Sequence, residues 1–233
     1  MEAVILAGGK GTRLREIVRD VPKPMAPVAG RPFLEILLAS LAYKGFSRVV
    51  LSLGYMAEVI VSHFGKRFCG MELVYEIEEE PLGTGGGLRL SMKHCNADHV
   101  FVFNGDTFID LEVDAVEEKW EKHHRPIIVA RDVPDTTRYG RLDIRDGRIT
   151  GFFEKGKAGP GLVNAGCYVL PTSLLGDFGH AQKFSFESDF LPNAVTSWHI
   201  ELFVSKGYFI DIGVPEDYVR AQKELAVFEP LFC

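Results

Sequence analysis

The chain has 233 residues, 46% of them apolar, and its 26 basic against 32 acidic side chains give a net charge of −6. That length and apolar content fit one domain with a large core, and the acidic balance excludes a general nucleic-acid binder or a protein drawn to an anionic membrane surface. Four widely spaced cysteines form no C-x-x-C pair, and with no secretory leader in the reading they point to reduced thiols in the cytoplasm. Through Lys23 the balance reverses, with five basic residues and three acidic ones. Such an entrance suits a small anion.

The apolar run Ala3 to Ala7 reads as a short buried strand that breaks into Gly8-Gly9-Lys10-Gly11-Thr12-Arg13, with Pro22-Lys23-Pro24 beyond it. Phe33 to Lys44 has apolar residues at helical spacing between Pro32 and the stop at Gly45. Arg48 to Leu53 is a strand, Val59, Ile60 and Phe64 mark a short helix, and Glu72 to Ile77 is the next strand. Gly83 onward becomes a helix through Met92, and strand Val100 to Phe103 runs into Asn104-Gly105-Asp106. Asp114 is expected to cap a charged helix ending near His123, and Ile127 to Ala130 is a core strand. Leu142 to Arg145 and Arg148 to Phe153 flank Asp146-Gly147, which predicts a β-hairpin. Val163 to Leu170 is a strand, Phe186 to Val195 a helix despite Pro192, Glu201 to Asp211 further strand, and Pro215 to Ala226 a last helix. Strands alternating with helices predict an α/β fold: a Rossmann-like, mostly parallel mixed sheet flanked by helices, with the hairpin inserted over the substrate side.

A strand ending in glycines and cations is a cradle for phosphate, because backbone N–H groups can crowd an anion where no Cβ intervenes. The ATPase loop needs Lys-Ser/Thr after its last glycine, but Gly11 is followed by Thr12-Arg13. The dinucleotide fingerprint fails too, since Leu14 stands at its third glycine and no acidic residue closes the strand at 48–53. In an open parallel sheet, ligands bind beyond the carboxyl ends of the strands, where the glycine loop, the Gly83-Thr84-Gly85-Gly86 turn and Asp106 are all expected. Asp106 and Asp211, each at a strand end, could hold Mg²⁺ from two sides, a hard cation that prefers oxygen donors. Each aspartate alone could equally make only a turn.

Seven motifs stand in the order found in the sugar-1-phosphate nucleotidylyltransferases, and the chain resembles that family along nearly its whole length. They are Leu6 to Leu14, Pro22 to Met25, Pro81 to Gly86, Gly105-Asp106, Glu154-Lys155, Asn164 to Gly166 and Asp211 to Gly213. The resemblance implies a single nucleotidyltransferase domain over 1–233, with a nucleotide-binding part near 1–110 and a sugar-binding part near 111–233. It implies that Leu6, Ala7, Gly8, Gly9, Gly11, Thr12 and Arg13 wrap the triphosphate and that Pro81, Gly83 and Thr84 hold the base. Arg13, Lys23 and Asp106 would act in catalysis, and Asp106 and Asp211 would bind Mg²⁺. Gly140, Glu154, Lys155, Asn164 and Gly166 would hold the sugar phosphate.

The overall pattern is most similar to short guanylyl-transferring members acting on a heptose 1-phosphate, so GTP and that sugar phosphate are the expected substrates. Neither a nucleic acid nor a membrane is an expected partner, and a homo-oligomer is left open. A mannose- or glucose-1-phosphate nucleotidylyltransferase, or a noncatalytic nucleotide-sugar sensor on the same fold, stands as the alternative. Two departures are noted: Gly85-Gly86 replaces an alanine-containing turn common in relatives that use other bases, and Val214 stands where threonine is frequent.

Overall fold

The computed structural model describes residues 1–9, 11, 14, 18, 20–154, 158–176 and 183–231. In chain order the first half carries β1 (Glu2–Leu6), a small antiparallel pair β2 (Pro27–Val28) and β3 (Arg31–Pro32), α1 (Phe33–Tyr43), β4 (Arg48–Leu53) and α2 (Ala57–Phe64). It continues with β5 (Arg67–Phe68), β6 (Met71–Ile77), α3 (Gly83–Met92) and β7 (His99–Asn104). The second half adds β8 (Thr107–Ile109), α4 (Val113–His123), β9 (Ile127–Val133), β10 (Gly140–Arg145), β11 (Arg148–Glu154), β12 (Gly161–Pro171) and α5 (Leu191–Ser197). It closes with β13 (Glu201–Ser205), β14 (Phe209–Asp211) and α6 (Pro215–Glu224).

Ten of these strands make one sheet in the order β11-β10-β12-β7-β1-β4-β6-β5, with β9 paired to β12 and to β13. The centre, β7-β1-β4-β6, is parallel, whereas β12 runs antiparallel to β7 and to β9. This is the mixed α/β sheet expected from the alternating pattern. Because successive strand residues face opposite ways, Ala3 and Ile5 join one apolar layer with Leu34, Leu37 and Leu41 of α1 and Trp120 of α4. Val4, Val50 and Val102 face the other way and pack with Leu88 of α3 and with Phe186 and Leu191. Helices on both faces leave the carboxyl edge of the parallel strands as the open rim.

A third apolar cluster joins Leu14, Phe33, Phe108, Ile212 and Tyr218. Leu14 is 1% exposed, so the residue that breaks the dinucleotide fingerprint is a core side chain. The cluster also carries the short pair β8-β14 to the rim, with Asp211 opposite Thr107.

Several local expectations change. The helix ending at His123 has Glu112 at its cap position, and Asp114 lies inside the first turn, where its charge still faces the positive end of the helix dipole. The segment 186–195 is not one helix. A π-type turn at Phe186–Phe190 precedes α5, and Pro192 sits in the first turn of α5, where a missing N–H costs little. The strand structure expected over 201–211 is two strands, parted at Lys206 to Tyr208, where a Cβ on Gly207 would stand only 1.8 Å from the Asp110 carbonyl oxygen. Asp146 and Gly147 both have positive φ (53° and 74°) and join β10 to β11, as a two-residue hairpin turn requires. Cys95 and Cys167 are free thiols, but Cys69 is disulfide-bonded, contrary to the all-reduced expectation. No helix among the described residues is long and apolar enough to cross a membrane.

Candidate active site

The chain leaving β1 is threaded between two strand ends. Ala7 N–H donates to the Ser52 carbonyl (2.8 Å) at the end of β4, and Gly105 N–H donates to the Leu6 carbonyl (2.9 Å) from the end of β7. A Cβ at Gly105 would stand 2.8 Å from the Leu6 oxygen and 3.0 Å from the Ala7 Cβ. That crowding sets how closely Asp106 approaches the glycine loop. Gly105→Ala is expected to lower turnover by about 10²-fold with secondary structure retained, since small misplacements at a reacting centre have effects of that order. Pyrophosphate release beside circular dichroism checks it, and unchanged turnover would show that the loop tolerates the shift.

Gly11, with φ at +59°, lies against the stem of Lys23, whose Cβ is 2.7 Å from a Cβ built on the glycine. Lys23 then reaches Asp106, Nζ to Oδ2, at 2.5 Å. Its side chain is 12% exposed and that of Asp106 35%. Burial works against the charged form of Asp106, but the Lys23 ammonium overrides it and holds the carboxyl below its ordinary range. Asp211 reaches the same place: Ile212 N–H donates to the Asp106 carbonyl (2.9 Å), and Gly213 N–H to Asp211 Oδ1 (2.6 Å). A Cβ at Gly213 would meet Asp211 Oδ1 at 2.7 Å and Lys23 Nζ at 3.2 Å. Two carboxylates and one ammonium therefore flank one glycine, although 104 residues separate Asp106 from Asp211.

Two cavities meet along the rim. The first is lined by Gly9, Gly11, Lys23, Asn104, Asp106 and Gly213. The second, of about 580 Å³, is lined among others by Gly8, Tyr55, Glu78, Pro81, Thr84 and Lys183. Leu6 and Gly9 belong to both. Of the expected nucleotide residues, Leu6, Ala7, Gly8, Gly9, Gly11, Pro81, Gly83 and Thr84 all line one cavity or the other. Thr12, Arg13 and Lys155 lie outside the described residues.

The sugar-side expectations divide. Gly166 has φ +64° and so close an approach to Asn104 that a Cβ would sit 2.9 Å from Nδ2, which accounts for glycine there. A shift in strand register between Asn164 and Cys167 re-aims this part of β12. Asn164 donates from Nδ2 to the buried Tyr168 hydroxyl (2.6 Å) and accepts from Gly166 N–H (3.1 Å). Asn104, lining the first cavity, keeps its buried Oδ1 without a partner among the described residues. Gly140 stands opposite Glu154 across β10-β11 and does not itself line the two cavities.

Sequence reading missed Ser52, Gly54, Tyr55, Glu78 and Glu79, which sit at or just past the ends of β4 and β6 and were open to the strand-end rule that singled out Asp106. Glu78 is partly buried, which raises its carboxyl pKa, and its Oε2 accepts the Leu82 N–H at 2.8 Å. Lys183 and Glu187, beyond β12, gave no local signal.

Residues 2–227 match the family model described as nucleotidyl transferase. The D-glycero-alpha-D-manno-heptose 1-phosphate guanylyltransferase of Aneurinibacillus thermoaerophilus is 39% identical over 226 residues, covering 97% of this chain and 98% of that protein. The mannose-1-phosphate guanylyltransferase of Mycobacterium tuberculosis is 32% identical across 97% of this chain but only 64% of its own length. Among solved structures, HddC from Yersinia pseudotuberculosis superposes with a TM-score of 0.87 at 40% identity, covering 96% of this chain and 98% of that one. The same protein complexed with GMP-PN gives a TM-score of 0.85.

Proposed function

The chain belongs to the nucleotidyl transferase family, and we propose that it transfers a guanylyl group from GTP to D-glycero-α-D-manno-heptose 1-phosphate, giving GDP-heptose and pyrophosphate. The observation that carries this reading is the pair of confluent cavities: one of a size for a nucleoside, the other lined by glycines, the Lys23 ammonium and the Asp106 carboxylate, with Asp211 held against its Gly213. Guanine presents its N1–H and 2-amino group as donors, and Glu78 and Glu79 in the larger cavity are matching acceptors.

The donor set at Asp106 and Asp211 fits Mg²⁺, because both ligands are carboxylates and a cationic group, the Lys23 ammonium, is already seated on one of them. When bound, that ion would neutralise phosphate charge and favour in-line displacement at the α-phosphorus. The chain's own residues do the rest. Gly8, Gly9 and Gly11 offer backbone room to the triphosphate, and Lys23 with Arg13 offsets the charge of the departing pyrophosphate. Asn164, Gly166, Gly140, Glu154 and Lys155 hold the sugar phosphate. A phosphate monoester has a second pKa of about 6, so the attacking oxygen is already anionic at neutral pH and needs no protein base. The reaction belongs in the cytoplasm, with its nucleotide supply.

The test is a pyrophosphate-release assay crossing the four NTPs with the 1-phosphates of heptose, mannose, glucose and N-acetylglucosamine. GTP with the heptose phosphate should give the highest kcat/KM. A preference for mannose 1-phosphate would move the assignment to that branch, and no release with any pair would leave a nucleotide-sugar sensor.

A further inference from the structure

The turn assigned to the base does not hold its own shape. Gly83 has φ +74°, and a Cβ on it would lie 2.4 Å from the Phe184 carbonyl oxygen, while one on Gly85 would lie 2.1 Å from the Phe184 ring. The turn is instead laced to the segment 184–187. Phe184 N–H donates to the Leu82 carbonyl and Gly85 N–H to the Phe184 carbonyl, both at 3.0 Å. Thr84 closes the lacing: its Oγ1 accepts the Phe186 N–H (2.9 Å) and donates to Glu187 Oε2 (2.5 Å). A hydroxyl has one proton, so this geometry commits it to the carboxylate and fixes the Thr84 rotamer. The glycine at position 85, noted as a departure, is the space that the Phe184 ring occupies.

The same segment abuts the sugar side. Phe186 packs edge-on against Tyr168, with ring centroids 5.0 Å apart, and the Tyr168 hydroxyl receives the amide of Asn164. We propose that Glu187 is a positioning residue of the transfer reaction, fixing the base-side turn through Thr84 from a segment that also braces the sugar-side strand. This rests on the nucleotide reading given above.

A carboxylate is an unusual choice for a purely structural task here. Its side-chain partners among the described residues are two neutral hydroxyls, Thr84 and Ser185, and burial disfavours its charged form. Asp106 lies close enough to add to that effect. Such a group is better placed at a site than in a core.

The experiment is steady-state kinetics, varying GTP and the sugar 1-phosphate separately, for Glu187→Ala, Glu187→Gln, Thr84→Val and the Glu187→Ala/Thr84→Val double variant. Glu187→Ala and Thr84→Val should each raise the KM for GTP by about tenfold with a smaller change in kcat. The double variant should be no worse than the more severe single one, because both remove the same hydrogen bond. Glu187→Gln keeps an acceptor and should return to within about threefold of the parent. An unchanged KM for GTP, additive losses, or an effect confined to the KM of the sugar phosphate would each overturn the proposal, the last making Glu187 a sugar ligand instead. If Glu187→Ala fails to fold, Thr84→Val, which removes the same Thr84–Glu187 hydrogen bond, decides the matter by the same criteria. The unmutated protein separates the two levels: failure to release pyrophosphate or to bind GTP removes the nucleotide reading and this inference together, whereas normal activity with indifferent variants removes this inference alone.

Discussion

Asp106→Ala is expected to lower turnover by roughly 10³-fold, about 4 kcal/mol of transition-state stabilisation, with the fold intact. The residue stands where three constraints meet: Gly105 is pinned to Leu6, Ile212 is hydrogen-bonded to the Asp106 carbonyl, and Lys23 is seated on the carboxylate. The two backbone constraints survive the substitution. What is lost is one of two carboxylates and the charge that orients the ammonium. Asp106→Asn should behave almost as badly, since it keeps the volume and loses the charge. Pyrophosphate release with Mg²⁺ titrated in each variant, beside a melting curve, is the check; near-normal turnover in either would sink the assigned role.

The pH dependence follows from the same group. The Asp106 carboxyl is held below its ordinary value, so its contribution to stability is present above the unfolded pKa of about 3.9 and is lost only as pH falls through the lower folded value. Asp106 therefore stays ionised throughout the working range. The acidic fall in kcat/KM should instead track protonation of the sugar phosphate near pH 6. A fall centred near 4 would contradict this.

The apolar runs made β1, β4 and β7 legible because each is buried on both faces and meets a punctuating glycine within two residues of its end. β4, at Arg48–Leu53, needed no correction at all. The two-residue strands were not legible, since two residues carry no period. The juxtaposition of Asp106 with Asp211 rests in the sequence on strand ends alone, because a pairing across about a hundred residues is set by packing of Phe108, Ile210 and Ile212 and not by any local pattern. Glu187 was invisible for a related reason. Its partner Thr84 lies 103 residues away, and a π-type turn has no apolar repeat to announce it. Glu78 and Glu79 differ from these: they sit just past the end of β6, within reach of the strand-end rule.

Lys23→Met should reduce turnover by about 10²- to 10³-fold and, separately, should destabilise the metal-free protein. The ammonium is nearly enclosed and sits 2.5 Å from Asp106, with Asp211 beside the same glycine. Removing it leaves the Asp106 carboxylate without its cation, with a second carboxylate, Asp211, beside Gly213. Breaking a fully buried pair costs about 3–5 kcal/mol, but the Asp106 side chain is one-third exposed, which reduces the expectation to about 2 kcal/mol. For a chain of this length that is a fall of about 4–8 °C in Tm. The two effects share one cause, and this gives a sharper test than either alone. A divalent cation added without nucleotide should raise the Tm of Lys23→Met more than that of the parent, because in the parent it must displace the ammonium before it can take both carboxylates. Equal shifts in the two proteins would mean that Lys23 does not occupy the cation's place and that its loss acts only through the substrate's phosphates.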